Sequence, residues 1–190
     1  MKNFKLSEID ILSNQDWTFP TTTYYGPGRF NEIGKFCEEF EIKNPLIVTD
    51  SGSKDLPFIN KLETLLSKNN IKSEIFYNIS PNPRDDEISK GCDQFRSGKH
   101  DAIIAIGGGS AMDGGKSICL TVNSDTPLWD FEFEQPVPKI TKENAFPKII
   151  TIPTTSGTGA ETEITAMVTH LEKGMKFCIW HPDVRPIFTL

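Results

Sequence analysis

Three observations predict an α/β fold, a Rossmann-like parallel sheet with flanking helices and a β-hairpin. Short apolar runs alternate with amphipathic helical stretches, two of those runs end in polar glycine-bearing turns, and two β-rich segments flank a Lys-Gly turn near residue 174. The 190 residues suffice for one sizeable α/β domain or two small ones, and a hydrophobic content of 37% is ordinary for a chain that buries a core.

Taken in order, Phe19 to Tyr25 reads as an extended lead-in. Gly26-Pro27-Gly28 then releases a helix over about Arg29 to Phe40 with Phe30, Ile33, Phe36, Cys37 and Phe40 on one face. Pro45 to Asp50 is a short apolar strand ending on a carboxylate. A Ser-Gly-Ser loop leads to a helix over Pro57 to Lys68 that turns Leu62, Leu65 and Leu66 inward. Ile71 to Tyr77 reads as a third strand, the Pro81-Asn82-Pro83 turn follows, and Arg84 to Ser97 reads as a helix with a charged outer side. The strand begun by His100 runs into Gly107-Gly108-Gly109-Ser110, and the helix opened by Ser110 continues to about Val122, with Ile118, Cys119 and Val122 inward. Asn123 to Pro147, rich in proline and charge with Trp129, Phe131 and Phe133 interleaved, suits a long surface excursion. Lys148 to Pro153 restores a strand, and Thr154 to Glu161 forms a second polar glycine-rich turn. Ile164 to Leu171 and Met175 to Trp180 make a hairpin, and Ile187 to Leu190 reads as a last strand.

Composition narrows the function. A net charge of -6 argues against a general nucleic-acid or anionic-membrane binder, since phosphate surfaces are bound by basic faces. No apolar run reaches the length of a bilayer crossing, and Met1 to Asp10 mixes charged and apolar residues, which reads as cytoplasmic. Cys37, Cys92, Cys119 and Cys178 are far apart with no CxxC pair, so buried thiols are expected rather than disulfides or a zinc knuckle. His100, His170 and His181 lack metal-ligand spacing, and no metal site is expected in this chain.

The glycine run at a strand-to-helix junction is suited to phosphate. Glycines let backbone N–H groups approach an anion, and the helix start adds unpaired N–H groups and a positive dipole end. It matches neither common fingerprint: the third glycine of GxGxxG is missing, and Ser110 stands where a P-loop has its first glycine. A turn that uses glycine only for its geometry is the plain alternative. Asp50, at a strand end, could accept hydrogen bonds from a ribose diol and repel a 2′-phosphate, or could cap its own turn. Asn82, between two prolines, could aim its amide at a nucleotide or serve the turn. Thr154, Thr155, Ser156 and Thr158 set hydroxyls beside Gly157 and Gly159, as an extended dinucleotide needs and as a solvated loop also has. Lys116 and Lys176 are candidate cationic partners, with surface solvation as the default, and Glu161 and Glu163 read as solubilising.

Two motifs together, Gly107-Gly-Gly-Ser-x-x-Asp-x-x-Lys116 and Ile152-Pro-Thr-Thr-Ser-Gly-Thr-Gly-Ala-Glu161, resemble the iron-containing alcohol dehydrogenase family within the dehydroquinate-synthase-like superfamily. Tyr25-Gly-Pro-Gly28, Val48-Thr-Asp50, Pro81-Asn-Pro83 and the Met175 to Pro182 segment extend the likeness over nearly the whole chain. The resemblance implies an N-terminal nucleotide-binding α/β domain, here residues 1–190, an all-helical C-terminal domain that this chain lacks, and hydride transfer between NAD(P) and an alcohol or aldehyde in the cleft between them. It further implies NAD in preference to NADP through Asp50, a contact from Asn82, and a pyrophosphate cradle at Gly108, Gly109 and Ser110. Asp113 would lie near the cofactor, Thr154, Thr155, Thr158 and Thr162 would form a second cofactor loop, and Lys176 would touch ribose. The family's Fe2+ or Zn2+ sits on an aspartate and three histidines beyond Leu190, so no metal and no catalytic residue are assigned here, and the expectation is a truncated cofactor-binding part. The alternative is a non-catalytic nucleotide-binding or interaction module of the same fold that self-associates through its uncovered cleft face; a non-redox lyase or synthase of the superfamily is a third reading.

Overall fold

The computed structural model describes residues 20–190, so the start of the lead-in at Phe19 and the Met1 to Asp10 segment lie outside the described residues. Five strands form a wholly parallel sheet: β1 (Pro45–Asp50), β2 (Glu74–Ile79), β3 (Ala102–Gly107), β4 (Lys148–Pro153) and β7 (Phe188–Thr189). Their order is β2-β1-β3-β4-β7, and β5 (Thr165–His170) pairs antiparallel with β6 (Met175–Trp180) in a separate hairpin. The chain steps outward from β1 to β2 and then crosses back to β3, which makes the carboxyl ends of β1 and β3 the topological switch point where such sheets bind ligands.

The sheet is buried on both faces, and the alternation along its strands sorts the core into two halves. Leu46, Val48, Ile103, Ala105 and Ile149 meet α3 (Asp85–Ser97), α4 (Gly109–Thr121) and the hairpin, whereas Ile47, Ile104, Ile106 and Ile150 meet α1 (Ile33–Glu39) and α2 (Pro57–Lys68). Each fully buried Leu or Ile contributes about 1.5–3 kcal/mol. Helix α4 lies close on β3, because a Cβ added at Gly115 would come within 2.7 Å of the Ala105 Cβ.

Local chemistry sets the element ends. Pro57 pre-sets the first turn of α2, and its last turn closes with Ile71 N–H on the Leu66 carbonyl over a left-handed Asn70. That closure takes Ile71 out of the strand expected there, so β2 begins at Glu74 and runs to Ile79. The Arg84 N–H donates to the Glu87 side chain at Oε2, and three acidic residues occupy the first turn of α3, favourable at the positive end of its dipole. The expected first helix divides into a 3₁₀ turn over Arg29–Glu32 followed by α1. The long excursion after α4 is more firmly seated than its composition suggests. It contains a 3₁₀ turn at Leu128–Phe131 that buries Phe131, and His181 Nε2 donates to the Pro138 carbonyl while its Nδ1 accepts the Asp183 N–H.

Candidate nucleotide-binding site

At the end of β3 the backbone turns through Gly107 at φ +141°, where a Cβ would lie 2.8 Å from the Ala111 Cβ and 3.0 Å from Asp50 Oδ2. Gly108, in extended conformation, is the N-cap of α4 and carries no side chain to cap it; its carbonyl accepts the Ala111 and Met112 N–H groups. Ser110 is therefore not the cap that the sequence suggests. It sits inside the first turn, and its hydroxyl donates to the Pro81 carbonyl at 2.6 Å, drawing the Pro-Asn-Pro turn onto the helix.

The second glycine-bearing turn folds over the first. Thr154 N–H donates to the Gly107 carbonyl at 2.9 Å. A Cβ on Gly108 would lie 3.5 Å from Thr155 Oγ1, and one on Gly109 would lie 3.2 Å from Thr158 Cγ2. Asp50 closes the rim from β1: its Oδ1 accepts the Gly52 N–H at 3.0 Å and its Oδ2 accepts the Ser53 hydroxyl at 2.8 Å. The turn-capping role is thus real, and it also holds the carboxylate beside the glycine turn. Next to it the buried Thr49 Oγ1 has no hydrogen-bond partner among the described residues.

The remaining candidates divide among three places. Asn82 and Lys176 share a hollow of about 450 Å³ beside Ser110's partner turn, and the hairpin is tied there by Thr169 N–H on the Pro83 carbonyl at 2.7 Å. Thr154, Thr155 and Thr162 line a larger hollow of about 810 Å³ walled by Tyr24, Phe30 and Glu161. Thr162 itself donates to the Gly159 carbonyl at 3.0 Å. Asp113 faces inward, 3.7 Å from the Lys116 ammonium, and burial raises its carboxyl pKa against the pull of that ammonium.

Lys116 corrects the expectation of a surface cation. Its side chain is fully buried, and its ammonium donates to the Ala160 carbonyl at 2.8 Å and to the Thr165 carbonyl, so it is not available to a phosphate. Burial lowers its pKa, opposed by Asp113 and Glu163. Sequence reasoning missed Tyr24 and Arg29 as walls of the larger hollow. Arg29 stacks over the Tyr24 ring and pairs with Glu32 at 2.8 Å; the Gly-Pro-Gly turn before it was the only local signal. Among the described residues no three His, Cys, Asp or Glu side chains are grouped to hold a metal ion, and no helix is long and apolar enough to cross a membrane.

Comparison with known proteins follows the same lines. The family model for iron-containing alcohol dehydrogenase matches residues 20–190. NADH-dependent butanol dehydrogenase A of Clostridium acetobutylicum is 32% identical over 92% of this chain and 44% of its own length. The 1,3-propanediol dehydrogenase of Klebsiella pneumoniae is 30% identical over 86% of this chain and 42% of its own. Among solved structures, sulfoacetaldehyde reductase from Bifidobacterium kashiwanohense in complex with NAD+ superposes with a TM-score of 0.79 at 26% identity, over 92% of this chain and 45% of that one. The chain thus spans less than half the length of these relatives. A match that runs through both glycine-bearing turns and the whole sheet makes this chain a member of the iron-containing alcohol dehydrogenase family.

Proposed function

We propose that this chain is the NAD(H)-binding part of a dehydrogenase that interconverts a small alcohol and its aldehyde. The observation that carries the reading is the meeting of two glycine-bearing turns at the switch point, with uncapped N–H groups at the start of α4 facing the Thr154–Thr158 loop. The cradle fits the cofactor: side chains are absent where a pyrophosphate would lie, and the orphaned Thr49 hydroxyl and the Asp50 carboxylate stand at its rim. In this reading the N–H groups of Gly109 and Ser110 take the pyrophosphate. Thr155 and Thr158 close over it, Asp50 accepts from the adenosine ribose and disfavours a 2′-phosphate, and Asn82 and Lys176 take the ribose on the hairpin side. Asp113 stands behind the cradle, and Thr154 and Thr162 line the approach to it. The bound nicotinamide would give the hydride to the aldehyde or take it from the alcohol.

The family's iron or zinc does not fit the described residues, since no suitable ligand cluster exists among them. Four unpaired thiols suit a reducing compartment, in keeping with a cytoplasmic protein. Calorimetric titration of the chain with NADH and NADPH, with and without ferrous iron or zinc, tests the reading. The expected result is saturable NADH binding, weaker NADPH binding, and indifference to metal. Binding of neither nucleotide would refute it.

A further inference from the structure

Behind the nucleotide cradle the fully buried side chain of Lys116 lies three residues beyond Asp113 on α4, and its contacts join elements remote in sequence. Its ammonium donates to the carbonyl of Ala160, which lies in the loop between β4 and β5, and to that of Thr165, which starts β5. The neighbouring loop carbonyls are served by neutral hydroxyls, Thr151 on Glu161 and Thr21 on Thr162. At its opposite end the loop is fastened to the glycine turn by Thr154 N–H on the Gly107 carbonyl. The loop is therefore held at both ends to the β3–α4 unit, once through backbone and once through the ammonium. Strand β5 leads on to Thr169, which lies directly opposite Lys176 in the hairpin.

An ammonium in the interior gives up its hydration, and a methionine of similar length would fill the same volume without that cost. What methionine lacks is a donor for two carbonyls whose separation sets the loop's path. We propose that Lys116 is a positioning residue, fastening the Thr154–Thr162 loop and β5 to α4 so that the two glycine-bearing turns keep their spacing, and so setting dinucleotide affinity without touching the dinucleotide. The affinity half of the proposal rests on the function proposed above; the fastening of the loop does not.

Hydrogen–deuterium exchange and NADH titration of Lys116→Met, Lys116→Gln and Lys116→Arg separate the two. In Lys116→Met, exchange across 154–165 is expected to rise about tenfold, with α2 and β1 unchanged, and the NADH Kd to rise by about the same factor, the size of losing a charged hydrogen bond. Arginine retains a charge and its donors and is expected to recover most of both. Should Lys116→Met fail to fold, Lys116→Gln, whose shorter neutral amide carries no ammonium to serve both carbonyls, is expected to raise exchange over 154–165 and the NADH Kd in the same direction, by several-fold rather than about tenfold. Unchanged exchange over 154–165, exchange that rises uniformly over the whole chain, or an unchanged NADH Kd in a loosened loop would each overturn the proposal. If the unmodified protein binds no NADH, the nucleotide reading fails and the affinity half falls with it, while the exchange pattern still decides whether Lys116 fastens the loop.

Discussion

Replacing Gly107 with alanine isolates the tightest point of the cradle. At φ +141° a non-glycine residue costs about 1–3 kcal/mol in backbone strain, and the new methyl would stand 2.8 Å from the Ala111 Cβ and 3.0 Å from Asp50 Oδ2. Neither neighbour can swing away freely, since Ala111 has no further side chain and Asp50 is held by Gly52 and Ser53, so overpacking adds about 1–3 kcal/mol. The sum, about 4 kcal/mol, corresponds in a domain of this size to a Tm lower by about 8–16 °C. Gly157→Ala supplies the control: it has φ +130° with nothing within 4 Å of the added methyl, so only the backbone cost applies. Thermal unfolding followed by circular dichroism should therefore rank wild type above Gly157→Ala and Gly157→Ala above Gly107→Ala, by several degrees at each step. Equal Tm values for the two variants would refute the close packing of Gly107 against Asp50 and α4.

Three other outcomes follow from single groups. Asp50→Gly should lower the ratio of NADH to NADPH affinity by about tenfold by removing a negative charge near the ribose, and a ratio unchanged on titration would remove Asp50 from that role. Burial pushes the Cys37 thiol from its ordinary 9.0 up to about 12. The native state then keeps a proton that the unfolded chain releases between those values, so stability is complete below pH 9 and declines as pH rises toward 12. Denaturant melts from pH 8 to 11 should show this decline, with a shallower slope in Cys37→Ser. At pH 8, iodoacetamide should modify the half-buried Cys178 well before Cys37 or Cys119.

The sequence carried the parallel sheet well because its signals are local. Pro57 at the head of α2 and the continuous apolar run of β3 need no tertiary knowledge to be read, and the helix over Pro57–Lys68 has the bounds its pattern predicts. What escaped was decided by partners far along the chain. Ile71 looked like a strand residue until the left-handed Asn70 folded it back onto Leu66. Ser110 has the chemistry of a cap, yet Gly108 already has the cap conformation, and the serine hydroxyl is used on Pro81 instead. Lys116 reads as a surface lysine by type, and only the arrival of Ala160 and Thr165 makes its burial tenable. The candidate site follows the same division: the two glycine-bearing turns were legible as separate motifs, whereas their mutual approach and the wall formed by Tyr24 and Arg29 were not.

The pairing of the lead-in with β7 bears on how the protein is made. Tyr24 N–H donates to the Thr189 carbonyl, and Thr189 N–H donates to the Thr22 carbonyl, so an early segment finds its backbone partners in a strand synthesised more than 160 residues later. Until β7 has left the ribosome and docked on β4, Tyr24 has no edge to rest on and the larger hollow has only its threonine side. Non-local closure of this kind is slow, and a nascent chain meanwhile displays β4 as a bare hydrogen-bonding edge. The hollow is in this sense a late product of folding, assembled from segments far apart in sequence.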